Sequence, residues 1–417
     1  MQGTKTRNWS WVAICAMLCA MLSRCGFVSI ADQRTQLPPH VPGNVAVMLR
    51  TPGPATMHVG AVTLKQVGRA GMIYRLTTPT DDAALPALLG TLRADPRVAA
   101  ADVDLVMPKP LRAITLNDPQ AASEYWIDAI NLRPVWEKGG FGAGVKIGVA
   151  DDGVNPDTPD LAGRILPGYN PRFRNTDTRD TEGHGTAVAE IAAGAGNDGV
   201  GVAGVAWRAQ VVPLVLFVPD EREIAYQYAG AEFADGILWL ANQGVRVINV
   251  SAGSEYDNGV IRAAFAQVVE RGILVVAATG DDPDESGYPG QYPGVLAIGA
   301  SGPDNQATDF TSRKDRIDLA APGVGIPVSL PTNTILPVSS NGVDVLDGTS
   351  FATPMVSGVA ALLFGAFPEL SAAAVADILR QSASHHGEKA LGAGILDAGA
   401  AFVLAEQRTG HPPRTIP

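Results

Sequence analysis

Cysteine is nearly absent from this 417-residue chain. The three present, Cys15, Cys19 and Cys25, all lie within the first 25 residues, so the remainder can build neither a disulfide framework nor a thiolate metal site. Aromatic residues are few, at 6%, and charged residues make up 18% against 46% hydrophobic ones. So small a charged fraction excludes extensive disorder and leaves globular material, long enough for one large domain and a smaller one. Positive charge is also short, with 31 Lys and Arg against 42 Asp and Glu and a net charge of −11. The deficit is uneven: residues 1–31 carry +3, residues 32–107 carry +1, and the rest carries −15. An acidic main domain argues against nucleic acid or an anionic membrane as partner and favours neutral or cationic polypeptides.

The apolar run near the N-terminus, Trp9 to Leu22, is too short for a comfortable membrane span. Lys5 and Arg7 precede it, and small residues follow at Ser29 and Ala31. This pattern predicts a secretory signal peptide over residues 1–31, cleaved after Ala31, and a secreted or bacterial periplasmic product with no membrane span in the mature chain. In an alternative reading Leu22-Ser23-Arg24-Cys25 is a lipoprotein cleavage site and Cys25 carries the lipid; Arg24 is badly suited to the position before such a cysteine.

Residues 32–43, with Pro38, Pro39 and Pro42, read as a linker. A compact α/β module follows over residues 44–107, with strands at Val45–Arg50, Met72–Leu76 and Val98–Val106 and a helix at Asp82–Ala94. About 65 residues make a marginal core, so this module is expected to need a docking partner. From residue 108 onward strand and helix patterns alternate, which implies a parallel sheet covered on both faces. Strands are expected at Val145–Ala150, Val211–Phe217, Val245–Val250, Ile273–Ala278 and Val295–Ala300. Helices are expected near His184–Ala193, Ala225–Asn242, Gly259–Arg271, Ser350–Ala366 and Ala372–Ser382. The main domain is drawn as residues 108–406 and a tail as residues 407–417.

Three short motifs concentrate chemistry. The strand ending at Ala150 runs into Asp151-Asp152-Gly153; Glu182-Gly183-His184-Gly185-Thr186 opens a helix; and Asp347-Gly348-Thr349-Ser350-Phe351-Ala352-Thr353-Pro354-Met355 places a serine between a tight turn and a long apolar helix. Pro354 is read as lying in the first turn of that helix, where its missing N–H is not needed. A serine hydroxyl is a weak nucleophile until a neutral imidazole takes its proton, and a carboxylate must hold that imidazole in the right tautomer. Asp151, His184 and Ser350 are residues of those three types. Singly, each also fits a helix cap or a turn; together and in this order they point to nucleophilic catalysis. Asp152 can be read as a turn residue, and His385 and His386 as solvated helix-end residues.

With Ser251-Ala252-Gly253 as a fourth motif, the sequence resembles the subtilisin-like serine proteases (peptidase family S8) over most of residues 117–400. The resemblance implies a three-layer α/β fold with a mostly parallel seven-stranded sheet. It also implies endopeptidase activity through Asp151, His184 and Ser350, and a substrate strand pairing with the backbone around Ser251, Ala252 and Gly253, with Ala278 and Gly280 beside it. A monomeric enzyme is expected, preceded as in that family by a ferredoxin-like inhibitory propeptide, here residues 44–107, that assists folding and is removed by a cut between Met107 and Asn117.

One position departs from the family pattern. Where members carry an asparagine whose amide donates to the oxyanion, this chain reads Ala277-Ala278-Thr279-Gly280-Asp281. An ionised carboxylate has no proton to give. Three outcomes follow: a slow enzyme that relies on the Ser350 backbone N–H, an enzyme in which burial keeps Asp281 protonated as a donor, or a peptide-binding protein that has lost catalysis. The second is preferred, since one proprotein-convertase branch also carries aspartate there, and it predicts a pH optimum on the acid side of neutral. A lipid-anchored maturation protease with one dedicated substrate is a further alternative. The run Asp281-Asp282-Pro283-Asp284-Glu285 and the nearby Asp347 raise the question of a preference for basic residues before the scissile bond, though a solvated loop explains the run as well. The resemblance finally implies a structural calcium, with Asp160 as a candidate ligand and Gly196–Val202 as the ligand loop.

Overall fold

In the computed structural model the chain is described over residues 40–67, 71–76, 81–105, 114–180, 182–216, 230–284, 287–314, 316–330 and 343–414. The leader with Cys25, most of the linker, the expected cut region up to residue 113, Glu285 and residues 415–417 lie outside these. The chain divides into two compact units, residues 1–110 and 111–417.

The first unit is a five-stranded antiparallel sheet in the order β2-β3-β4-β1-β5, built from β1 (His40–Leu49), β2 (Thr56–Val59), β3 (Val62–Gln66), β4 (Ile73–Leu76) and β5 (Val98–Leu105). One helix, α1 (Leu85–Ala94), buries Leu85, Leu89 and Leu92, a spacing of four and three that lines one helical face. These meet Val45, Val47, Leu64, Tyr74 and Val103 in a single core. The hairpin β2–β3 was not foreseen, because its residues Thr-Met-His-Val and Val-Thr-Leu-Lys-Gln bury only alternate positions and read as polar. β1 also starts at His40, inside the stretch expected as linker.

The second unit opens with two short helices, α2 (Trp126–Ala129) and α3 (Arg133–Glu137). Its sheet has six strands, all parallel, in the order β11-β10-β9-β8-β6-β7. They are β6 (Lys146–Asp151), β7 (Gln210–Val215), β8 (Val247–Val250), β9 (Leu274–Ala278), β10 (Val295–Ser301) and β11 (Leu319–Pro322). Helices α4 (His184–Ala193), α5 (Gly230–Ala241) and α6 (Gly259–Glu270) connect the earlier strands. A two-stranded antiparallel ribbon of β12 (Ile326–Ser329) and β13 (Val343–Leu346) leads into α7 (Thr349–Ala366), α8 (Ala372–Ser382) and α9 (Ala398–Thr409). The family resemblance implied seven strands; six are present among the described residues.

The strands are continuous apolar runs because both faces of the sheet are covered. Alternate residues face opposite layers. Leu274 and Val276 of β9 join the core that contains α4 and α7, whereas Val275 and Ala277 join the core containing Phe233, Ile237 and Phe265 of α5 and α6. Helix α7 is long and apolar enough to cross a membrane, yet every residue in it except Ser350 and Gly365 is buried within the fold. From β6 the chain moves to β7 on one side and then returns to β8 on the other. That reversal opens a crevice beyond the carboxyl ends of β6 and β8, the place where ligands bind in open parallel sheets.

Candidate active site

Asp151 is the last residue of β6, His184 the first residue of α4, and Ser350 lies in the first turn of α7. The fold brings the first two into contact: His184 Nδ1 lies 2.8 Å from Asp151 Oδ1, and Asp151 is 1% exposed. The same carboxylate oxygen accepts from the Asp152 N–H at 2.9 Å. Phe351, next to Ser350, packs its ring 5.5 Å from the imidazole. The Ser350 hydroxyl donates to the Ser251 carbonyl at 3.0 Å. Reactive contacts of this kind often tighten only with substrate in place.

Burial opposes charge on the His184 imidazole, but the adjoining Asp151 carboxylate, with Asp152 and Asp180 behind it, outweighs this and the pKa is pushed up to about 9. Asp152 is itself buried and accepts from Gly185 N–H at 2.6 Å. Burial, and then the charges of Asp151 and Asp180, push its carboxyl well above the ordinary range. Gly185 is required here, since a Cβ would stand 2.2 Å from the Gly153 carbonyl.

Sequence reasoning missed Asp180. This buried carboxylate accepts from Glu182 N at 2.7 Å, Gly183 N at 2.8 Å, Thr186 N at 2.9 Å and Thr186 Oγ1 at 2.5 Å, and so fixes the start of α4. Its signal was an acid just upstream of a helix start, masked by the polar tract around it.

Pro354 requires a correction. Helix α7 begins at Thr349, so Pro354 falls in its second turn, and the N–H it lacks is the one that would reach the Ser350 carbonyl. Ser251 takes that place: its hydroxyl donates to Ser350 O at 2.7 Å. Ser251 and Ser350 therefore hold each other reciprocally, hydroxyl to carbonyl in both directions. The chain of contacts continues inward, with Asn249 Nδ2 donating to Ser251 Oγ at 2.9 Å and Ser357 Oγ donating to Asn249 Oδ1 at 2.8 Å. Sequence reasoning missed Asn249 and Ser357; the signal that could have found them is a polar residue inside an apolar strand and an apolar helix, which must find a partner.

Ala252 and Gly253 follow β8, and Ser254 is bridged to Tyr288 by N–H···O bonds of 2.9 Å in each direction. Ala278 closes β9 and Gly280 leads into the facing loop. Asp281 is exposed, not buried as expected. Its Oδ1 accepts from both the N–H and the hydroxyl of Thr349, each at 2.7 Å. The Ser350 N–H has no partner among the described residues. Asp347 is exposed and accepts from Gly325 N–H at 2.6 Å. His385 and His386 are both exposed, as expected of solvated residues.

Asp160 is fully buried; its Oδ2 accepts from Val202 N–H at 3.1 Å, while its Oδ1 has no N–H or O–H donor among the described residues and the carboxyl lies against that of Glu190. Asp118 accepts from the Asn197 and Asp198 N–H groups of the adjoining loop at 2.8 and 3.1 Å. A buried carboxylate oxygen with no such donor beside that loop fits an oxygen-seeking cation such as calcium. Among the described residues no group of three or more Asp, Glu, His or Cys converges as a metal site, so loop carbonyls would have to complete such a shell. Buried Glu124 and Glu190, neither foreseen from sequence, stand close by.

A parallel α/β sheet with an Asp–His pair at one strand end and a serine at the start of a buried helix defines a hydrolase-type site of the subtilisin kind. The Subtilase family matches over residues 142–399, and the chain belongs to that family of serine endopeptidases. It is 34% identical over 284 residues to subtilisin BL of Lederbergia lenta, covering 67% of this chain and 99% of that protein. It is 34% identical to thermitase of Thermoactinomyces vulgaris, covering 60% of this chain and 85% of that one. Fervidolysin of Fervidobacterium pennivorans is 32% identical over 287 residues, which span 63% of this chain and only 41% of fervidolysin. Among solved structures, a protease of Pseudoalteromonas arctica superposes with a TM-score of 0.63 at 28% identity, covering 70% of this chain and 100% of that one.

Proposed function

We propose that the protein cleaves polypeptides through an acyl-enzyme, with Ser350 as nucleophile, His184 as general base and then acid, and Asp151 holding the imidazole. The observation that carries this is the 2.8 Å contact between His184 Nδ1 and the buried Asp151 carboxylate, which leaves Nε2 free for the serine proton. Ser350 Oγ turns from the Ser251 carbonyl to the imidazole, gives up its proton and attacks the substrate carbonyl. The protonated imidazole then gives that proton to the leaving amine, and water repeats the sequence on the acyl group. The oxyanion is held by the Ser350 N–H, which has no partner among the described residues, at the positive end of α7. The substrate strand lies along Ser251, Ala252 and Gly253, with Ala278 and Gly280 opposite.

The same reading makes residues 1–31 a secretion signal and residues 44–107 an inhibitory propeptide, and gives the Asp160 loop a structural calcium. One observation favours a slower enzyme, or a peptide-binding member at the limit: the Asp281 side chain is engaged as an acceptor and offers nothing to the oxyanion. Turnover of a denatured protein by the processed wild type, beside Ser350→Ala and His184→Ala, tests the assignment. Each variant should lose on the order of 10⁶-fold in kcat. An inert wild type, or a Ser350→Ala variant that still cleaves, rejects it.

A further inference from the structure

The helices that carry His184 and Ser350 share a defect. Each starts after a glycine, Gly183 for α4 and Gly348 for α7, and neither glycine offers a side chain to cap the free N–H groups of the first turn. In α4 an aspartate outside the helix supplies the missing acceptor, Asp180, which takes the Gly183 and Thr186 N–H groups. In α7 the corresponding partner comes from across the crevice. Asp281, three residues beyond β9, takes the Thr349 N–H and hydroxyl on one oxygen. Its other oxygen stands 2.9 Å from where a Cβ on Gly348 would be, and Gly348 has a φ of +148°, so a side chain at 348 would crowd the carboxylate and strain the backbone.

We propose that Asp281 is a positioning residue, an external cap that clamps Thr349 and thereby fixes the Ser350 N–H and hydroxyl, and that it does not donate to the oxyanion. This rests on the reading of Ser350 as nucleophile. Three features support it. Both bonds end on the same carboxylate oxygen and use it as an acceptor, the role an ionised group fills well. A negative charge at the first turn of α7 is favourable with respect to the helix dipole. And Thr349 adjoins Ser350 directly, so release of its N–H frees the Gly348–Thr349 peptide, the one next to the Thr349–Ser350 peptide that carries the nucleophile's backbone donor. The arrangement has a cost, because a carboxylate at this place repels the charge that develops on the substrate. An amide in the same position keeps the acceptor oxygen for Thr349 and turns its NH₂ toward that charge.

The test measures kcat and KM separately for wild type, Asp281→Asn, Asp281→Ala, Thr349→Val and the double variant Asp281→Ala/Thr349→Val. Rates are referred to active sites titrated with a fluorophosphonate, so misfolded protein is not counted. Asp281→Ala should lower kcat by roughly ten- to a hundredfold, the scale on which a misplaced reacting group is felt, with KM within about twofold of wild type. Asp281→Asn should equal or exceed wild type in kcat. Thr349→Val should slow the wild-type background and leave the Asp281→Ala background unchanged, since the hydroxyl bond it removes is one that Asp281→Ala has already abolished. An Asp281→Ala enzyme as fast as wild type overturns the proposal. So does an Asp281→Asn enzyme as slow as Asp281→Ala, or a Thr349→Val loss of equal size in both backgrounds. A wild type that neither labels nor turns over fails earlier and rejects the nucleophile assignment itself.

Discussion

Carboxylates near His184 decide the pH at which the site can work. With the imidazole pushed up to about 9, the neutral form that accepts the serine proton gains on the protonated form as pH rises. The acid limb of kcat/KM should therefore lie on the alkaline side of an ordinary histidine, opposite to the acid optimum expected from a buried, protonated Asp281. The stability linkage has the opposite sign. A histidine whose folded pKa is raised contributes stability that is fully present below about 6.5 and is lost as pH climbs through about 9. Asp152 is among the groups that raise His184, and an amide at that position still accepts from Gly185. Asp152→Asn should move the acid limb of a pH–rate profile to lower pH; an unmoved limb would remove Asp152 from the electrostatics of the site.

Among the elements, α4 and α7 carry the proposed base and nucleophile, and their starts are where the sequence was both most and least readable. The motifs around His184 and Ser350 marked the helix starts because glycines and small polar residues interrupt apolar patterns there. What they could not reveal was which side chains complete those starts: Asp180 lies a few residues upstream in a polar tract, and Ser251 and Asp281 reach α7 only through the tertiary fold. Pro354 shows the limit well: it lies past the first turn, and so is the cause of a Ser350 carbonyl left open for the Ser251 hydroxyl rather than a tolerated first-turn proline. Asp180→Ala would leave several N–H groups without acceptors near a buried helix start and should destabilise the second unit by roughly 3 kcal/mol. Urea unfolding followed by circular dichroism measures it, and a loss under about 0.5 kcal/mol would show that Asp180 is dispensable.

For the whole molecule, alternation of strands and helices made the doubly covered parallel sheet legible, because buried parallel strands are unbroken apolar runs of the kind seen at Val295–Ser301. β11 escaped notice because Leu319-Ala-Ala-Pro322 ends in proline and runs into glycine, the signature of a turn. Helix α9 escaped because Ala398-Gly-Ala-Ala is short of strong periodicity. The chain divides after Pro110; the boundary expected from the sequence is drawn after Met107. Processing should then leave a mature N-terminus between Met107 and Asn117, read by N-terminal sequencing, and Ser350→Ala should accumulate uncut if the cut is the chain's own. A calcium at the Asp160 loop should raise Tm on addition of the metal and lower it on chelation; an unchanged Tm in both arms would leave that loop to its N–H···carboxylate bonds alone. The central claim, that Ser350 is a nucleophile activated by His184, is tested most directly by fluorophosphonate labelling of the processed protein across the neutral and alkaline range, with peptide mapping of the adduct. The account predicts a single adduct on Ser350, absent from Ser350→Ala, whose rate of formation rises with pH through about 9; an adduct elsewhere, or none at any pH, would contradict it.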